Sequence, residues 1–192
     1  MIIRPCVLGP QLSVEAACAL PPNFTSFENL PEKTSSIAVS EQKSLTSCDF
    51  RFLFNYEIFP PNVLASSPQW RIDGRPAMRT GDVIVQRAFI PPIGAGLCLE
   101  CAVRVLNIFM EPARIGFSYQ TLAGHPERGI SEFYFTADPE GLRFCIHTFS
   151  EPGHWTTRAA AGLARRYQSW CTQRALQYVS LQFGLHNGRV AR

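Results

Sequence analysis

Between residues 83 and 149 apolar and polar side chains alternate in the manner of half-buried β-strands, whose successive residues point to opposite faces. The runs are Val83 to Ile90, Leu97 to Phe109, Arg114 to Leu122, Ile130 to Thr136 and Leu142 to Phe149, all rich in β-branched and aromatic residues. Their connections are short. In Asp138-Pro139-Glu140-Gly141 the proline pre-sets the first corner and the glycine accepts positive φ, so the last two runs form a hairpin and the series an antiparallel meander. Upstream, Phe50, Phe52, Phe54, Tyr56 and Ile58 alternate with Arg51, Leu53, Asn55 and Glu57. Helical spacing also fits Phe50, Leu53, Phe54 and Ile58, but aromatic enrichment favours a strand, ended by Pro60-Pro61. Asn62 to Ser66 reads as a short helix and Trp70 to Arg79 as a turn-rich connector.

After Ser150 the period lengthens: Leu163, Tyr167, Trp170, Cys171, Tyr178 and Leu181 recur at three- and four-residue steps. A helix from Pro152 to Phe183 follows, with Pro152 in the first turn and Ser150 or Glu151 as cap, about 45 Å long at 1.5 Å per residue. Its apolar stripe needs a cover, and the preceding strands supply it. The expected fold is α+β, a curved antiparallel β-sheet wrapped around a long C-terminal α-helix. Residues 1–48, interrupted by Pro21-Pro22, Pro31 and a Ser/Thr-rich run, read as an irregular N-terminal arm, part of the same domain or peripheral to it, with a short helix near Ser13 to Leu20, capped by Ser13. Residues 49–185 form the domain and 186–192 a short basic tail.

The length of 192 residues fits one domain, and 46% hydrophobic against 17% charged residues implies a substantial core. A net charge of +3 with no recognition motif gives no reason to expect nucleic acid. Seven scattered cysteines, an odd number, point to reduced thiols and a cytoplasmic location. Cys98 and Cys101 are three apart in a strand, hence on opposite faces, so neither a metal site nor a cofactor is expected. No window approaches the roughly 18 uncharged apolar residues of a membrane span. No acidic residue follows Glu151, whereas Arg158, Arg165, Arg166, Arg174, Arg189 and Arg192 do. A solvated helix face is the plain reading of that bias, and weak contact with an anionic surface the other.

Five segments, FNYEIFPPNV, MRTGDVIVQR, GFSYQTLAGHPERGISEF, FSEPGHW and YQSWCTQRAL, resemble in that order the signature of uncharacterised protein family 0548, a domain-of-unknown-function family. The match includes Tyr-x-Thr-Leu-x-Gly-His-x-Glu-x-Gly from Tyr119 to Gly129 and runs from about Phe50 to Leu181. The family is grouped with the helix-grip, or Bet v 1-like (START-like), superfamily. The resemblance therefore implies the same sheet-around-helix architecture, and it implies no activity.

A curved sheet gripping a helix encloses a concave apolar space suited to a small, mostly apolar ligand, lipid-like or an aromatic metabolite. Candidate lining residues are Phe117, Tyr119, Phe133, Phe135, Phe144, Tyr167 and Trp170, with His125, Glu127 and Arg128 at the rim. Core filling is the competing role for the aromatics. Register decides whether Phe117 and Tyr119, or Gly116, Ser118 and Gln120, face inward. His125 and Glu127 are also the candidates for an acid/base pair, a neighbouring carboxylate raising the imidazole pKa. No nucleophile stands beside them, and shaping a turn is the simpler use of these loop residues, so the balance is against an enzyme. A third reading is a structural or interaction protein with a filled core and a basic helix face. Asp82, on one strand face with Ile84 and Gln86, and Arg87, on the other with Val83 and Val85, are candidate structural polar residues, Asp82 pairing with an arginine. His154 and Trp155 stand at the helix entrance, with His154 read as a first-turn surface or capping residue in preference to a ligand contact.

Overall fold

The computed structural model describes residues 2–5, 12–26, 29–42, 44–90, 96–153 and 161–188. In chain order the elements are β1 (Ile2–Pro5), α1 (Val14–Cys18), β2 (Glu32–Ser40), α2 (Arg51–Phe54), β3 (Leu64–Pro68), α3 (Gln69–Ile72), β4 (Val83–Phe89), β5 (Leu97–Glu111), β6 (Arg114–Thr121), β7 (Glu127–Asp138), β8 (Gly141–Pro152) and α4 (Ala161–His186). The sheet runs β2-β8-β7-β6-β5-β4-β3, every neighbouring pair antiparallel. β1 pairs with Leu97–Glu100 of β5, the stretch that β6 does not reach, since β6 pairs from Val103 onward. Register breaks between Val105 and Asn107 and between Ala38 and Ser40 add the local bend that lets an open sheet curve.

The concave face carries the main core. Phe117, Phe133, Phe135 and Phe144 are buried against Ala175, Leu176, Val179 and Phe183 of α4 and against Phe50, Phe52 and Leu53. The Phe135 ring lies 4.8 Å from Phe50, 5.0 Å from Phe144 and 5.4 Å from Phe183. Burying each such ring stabilises the fold by about 1.5–3 kcal/mol. Phe117 and Tyr119 therefore face inward. Asn187 joins the far end of this layer to α2, its Oδ1 accepting from the Asp49 amide at 2.7 Å. A smaller core covers the convex face, where Val14 and Ala17 of α1 pack on Val83, Val85, Ala102 and Leu122. Ser13 Oγ caps α1 by accepting from the Ala16 amide at 3.1 Å, and Arg104 Nη2 closes its other end by donating to the Cys18 and Leu20 carbonyls at 2.8 and 3.1 Å.

The five strands after residue 83 and the Asp138–Gly141 hairpin lie where alternation and turn chemistry put them, except that β7 begins earlier, at Glu127, and β8 ends later, at Pro152. Asp138 Oδ1 accepts from the Glu140 and Gly141 amides at 2.8 and 3.0 Å. Several other expectations are corrected. Phe50 to Ile58 is not a strand: Asp49 Oδ1 accepts from the Arg51 amide at 2.9 Å, the Asn55 amide reaches the Arg51 carbonyl, and Tyr56 at φ 61° leaves the helix. The helical spacing that buries Phe50 and Leu53 prevails over alternation. The helix expected over Asn62 to Ser66 is β3 from Leu64 onward, and Trp70 sits in α3 rather than in a connector. Residues 1–48 are less irregular than expected. They contribute β1, α1 and β2, and the polar residues Thr34 to Ser36 suit an edge strand facing water. Ser150, Glu151 and Pro152 do not start the helix; they end β8 opposite Gly129, Arg128 and Glu127. His154, Trp155, Arg158, Arg189 and Arg192 lie outside the described residues.

Candidate functional site

The turn between β6 and β7 is built by glycine and a cross-brace. Gly124 takes φ 86°, and the His125 amide donates to the Leu122 carbonyl at 3.0 Å. Asn23 Nδ2 donates to the Glu127 carbonyl at 2.7 Å, and Thr121 Oγ1 accepts from the Gly129 amide at 2.9 Å while donating to Asn23 Oδ1 at 2.6 Å. Gly129 has no substitute here, because with φ at 150° a Cβ would stand 1.9 Å from the Phe149 carbonyl oxygen. The His125 ring braces the same corner: Nδ1 lies 2.9 Å from the Glu127 carbonyl oxygen and 3.1 Å from its amide nitrogen. Burial pushes the imidazole pKa down to about 4, the backbone contact opposing this only in part, so the ring is neutral at pH 7. This corrects the expectation of a carboxylate-raised histidine. The ring meets the main chain of Glu127 and not its carboxylate.

Glu127 points elsewhere. Pairing with β8 is unbroken from Glu127 to Asp138, so Glu127, Ser131, Phe133 and Phe135 share the concave face and Arg128 the convex one. The Glu127 carboxylate accepts from Gln168 Nε2 of α4 at 3.0 Å and from Ser150 Oγ at 3.4 Å. No cation pairs with it among the described residues. Burial pushes its pKa up to about 7, with the Ser150 hydrogen bond and the charge of Lys33 pulling back less. The carboxyl can therefore give or accept a proton at neutral pH.

Neutral hydrogen-bonding groups surround it. The Tyr119 hydroxyl bonds with Ser131 and Gln86, and burial, aided by the charge of Glu127, pushes its pKa up to about 12. Gln86 Nε2 donates to Tyr56 Oη at 2.5 Å, and its Oε1 accepts from Cys101 Sγ at 3.6 Å. Tyr56 alone among the described non-glycine residues has positive φ, a conformation that costs about 1–3 kcal/mol and persists where its surroundings hold it. Burial pushes the Cys101 thiol up to about 12 and Cys171 up to about 11, so neither is a nucleophilic thiolate at neutral pH.

The remaining expected residues divide among several places. Phe117, Phe133, Phe135 and Phe144 form the aromatic core just described, and Tyr119 bridges that core to the polar cluster. Tyr167 is half-buried and donates through its hydroxyl to the Phe89 carbonyl at 2.7 Å, while Trp170 stacks on it at 5.9 Å and is 38% exposed. Arg128 pairs with Glu151 beside an outer cleft of about 500 Å³ that also includes Asn23, Thr25 and Asn29. A second cleft, of about 310 Å³, lies beside Phe54, Met78, Ile108 and Met110. Neither cleft lies between sheet and helix. Asp82 pairs with Arg75 at 2.6 Å and accepts from the Arg79 amide at 2.7 Å, and Arg87 pairs with Glu100 at 3.2 Å. Tyr56, Ser150 and Gln168 are further residues of the site that were not among the expected ones. Gln86 carried a usable signal, a polar residue on the same strand face as Ile84. Among the described residues no three His, Cys, Asp or Glu side chains gather as a metal site.

No curated protein matches the chain. Among solved structures the fold is similar to that of ginseng major latex-like protein 151 from Panax ginseng, at 10% identity, 80% of this chain, 97% of that chain and a TM-score of 0.56. It is also similar to the di-domain ARO/CYC StfQ from the steffimycin biosynthetic pathway, at 14% identity, 83% of this chain, 52% of that chain and a TM-score of 0.53. At these identities the likeness is one of fold, the Bet v 1-like helix grip. A family described as a domain of unknown function (DUF1990) matches residues 51–178. With β3–β8 and most of α4 inside that match, the chain belongs to the DUF1990 family.

Proposed function

We propose that this protein binds a small, mostly apolar molecule between the concave face of the sheet and α4, with Glu127 holding the polar end. One observation carries the reading: a carboxyl on the concave face, facing the helix, accepts from the neutral groups of Ser150 and Gln168 and has no ion-pair partner among the described residues. A buried acid in that state pairs best with a neutral hydroxyl or carbonyl, to which it can donate when protonated or from which it can accept when ionised. Phe117, Phe133 and Tyr119, with neighbouring ring centroids 5.4 and 5.2 Å apart, are packed and buried, so the apolar part of the molecule enters by parting this aromatic layer from α4. The ligand class is thus an aromatic or lipid-like metabolite bearing a hydroxyl or carbonyl. Cys18, Cys48, Cys101, Cys145 and Cys171 are free thiols, which supports a reducing, cytoplasmic setting.

Native mass spectrometry of the purified protein tests this directly. The expected result is a bound small-molecule mass that is released on denaturation and lost from Glu127→Ala while the circular dichroism spectrum is retained. Protein that carries no such mass, and that binds no apolar dye saturably, overturns the reading. A second reading, acid/base catalysis by Glu127, is favoured by its pKa near neutrality. His125 takes no part in it, being neutral and held to the main chain. Return of the released ligand unchanged after incubation with fresh protein decides for binding over catalysis.

A further inference from the structure

The face of α4 turned away from the sheet has a composition of its own. Ala175, Leu176, Val179 and Phe183 are buried, whereas Arg166, Trp170, Arg174, Leu181 and Leu185 are exposed along the opposite side. Trp170 is 38%, Leu181 52% and Leu185 62% exposed, although large apolar side chains elsewhere in the described structure are mostly covered. From Trp170 to Leu185 the stripe extends about 22 Å. Its charge has one sign: no acidic residue follows Glu151, and neither Arg166 nor Arg174 has an ion-pair partner among the described residues. Lys33 of β2 adds a third cation at the margin, its Nζ donating to Ser169 Oγ at 3.3 Å.

We propose that this face of α4 docks on the anionic headgroup surface of a lipid bilayer, lying flat on it without crossing it. An exposed tryptophan and leucines interleaved with arginines that have no ion-pair partner among the described residues match the two halves of an anionic interface, acyl boundary and phosphate layer. No helix among the described residues is long and apolar enough to cross a membrane. A second copy of the chain is a poorer occupant, because a two-fold contact through this face brings the arginines of both copies together with no carboxylate between them. The docking stands on the outer face of α4 and does not depend on what the inner face binds.

Flotation with phosphatidylcholine vesicles, with and without phosphatidylserine, is the test. The full chain is expected to float with the phosphatidylserine vesicles alone and to be released by added salt. The double variant Arg166→Gln/Arg174→Gln should lower partitioning about twenty-five-fold, given about a fivefold effect for each charge near such a surface. Leu181→Ser/Leu185→Ser should lower it further, with thermal unfolding unchanged because both side chains are exposed. Absence of flotation, equal flotation on both vesicle types, or variants indistinguishable from the parent each overturns the proposal. So does a dimer in size-exclusion chromatography that the leucine variant dissolves.

Discussion

Glu127 and His125 are two residues apart, yet burial moves them in opposite directions with opposite consequences for stability. Burial lifts the Glu127 pKa from 4.5 to about 7, so the folded state holds its proton more tightly and stability falls as pH rises from about 4.5 through 7. Burial lowers the His125 pKa from 6.5 to about 4, so stability is lost as pH falls from about 6.5 through 4. Between about pH 4.5 and 6.5 the two slopes oppose one another. Glu127→Gln should therefore be more stable than the parent above pH 7, by about 2 kcal/mol after discounting for partial exposure, and equal to it near pH 4. Urea unfolding across that range checks this, and a variant equal to the parent at high pH would show that the carboxylate is well solvated. The sequence made the pair visible but not its geometry. Gly129 resembles a turn residue, so alternation alone starts β7 at Ile130 and leaves the pattern that sends Glu127 inward and Arg128 outward inside an apparent loop.

At the level of elements, legibility followed the strength of the local pattern. β4 to β8 alternate over long runs and were readable. α2 was not, because Phe50 to Ile58 satisfies both periods and only tertiary contacts, Phe135 against Phe50 and Phe52, select the helix. β2 was missed because Glu32 to Ser36 is almost wholly polar, as an edge strand can be, and only Ile37 and Val39 reach the core. α1 was readable from Ser13, but its role was not, since its anchor is a distant arginine. Arg104→Ala removes the two hydrogen bonds that close the C-terminal end of α1 on the sheet. Hydrogen exchange at the Ala17 amide, bonded to the Ser13 carbonyl at 3.0 Å, should then accelerate about tenfold while amides of β6 and β7 are unchanged. Uniform acceleration would mean that α1 opens only with the whole domain.

For the whole molecule, the question is whether residues 1–48 are an arm or part of the body. They carry β1, α1 and β2, and β2 covers the edge of β8 from Leu142 to Phe149. A chain shortened to begin at Asp49 should therefore expose that edge and self-associate, with a broad, lowered thermal transition in circular dichroism. A shortened chain that stays monomeric and melts with the full-length one would show that the domain is complete without them. The sheet-on-helix plan is recoverable from sequence because it needs only a meander and a long apolar stripe. The placement of the N-terminal segments is not, because it depends on partners at the other end of the chain.

That distance sets an order of events. Ser40 lies opposite Leu142 and Glu32 opposite Phe149, so β2 leaves the ribosome long before its partner exists, and the entire meander must be made in between. Closing so large a loop is entropically slow and cannot be hastened by local propensity, which is weak in this polar strand. During synthesis β2 waits as an unpaired chain, and its edge of the sheet closes only once β8 has been made.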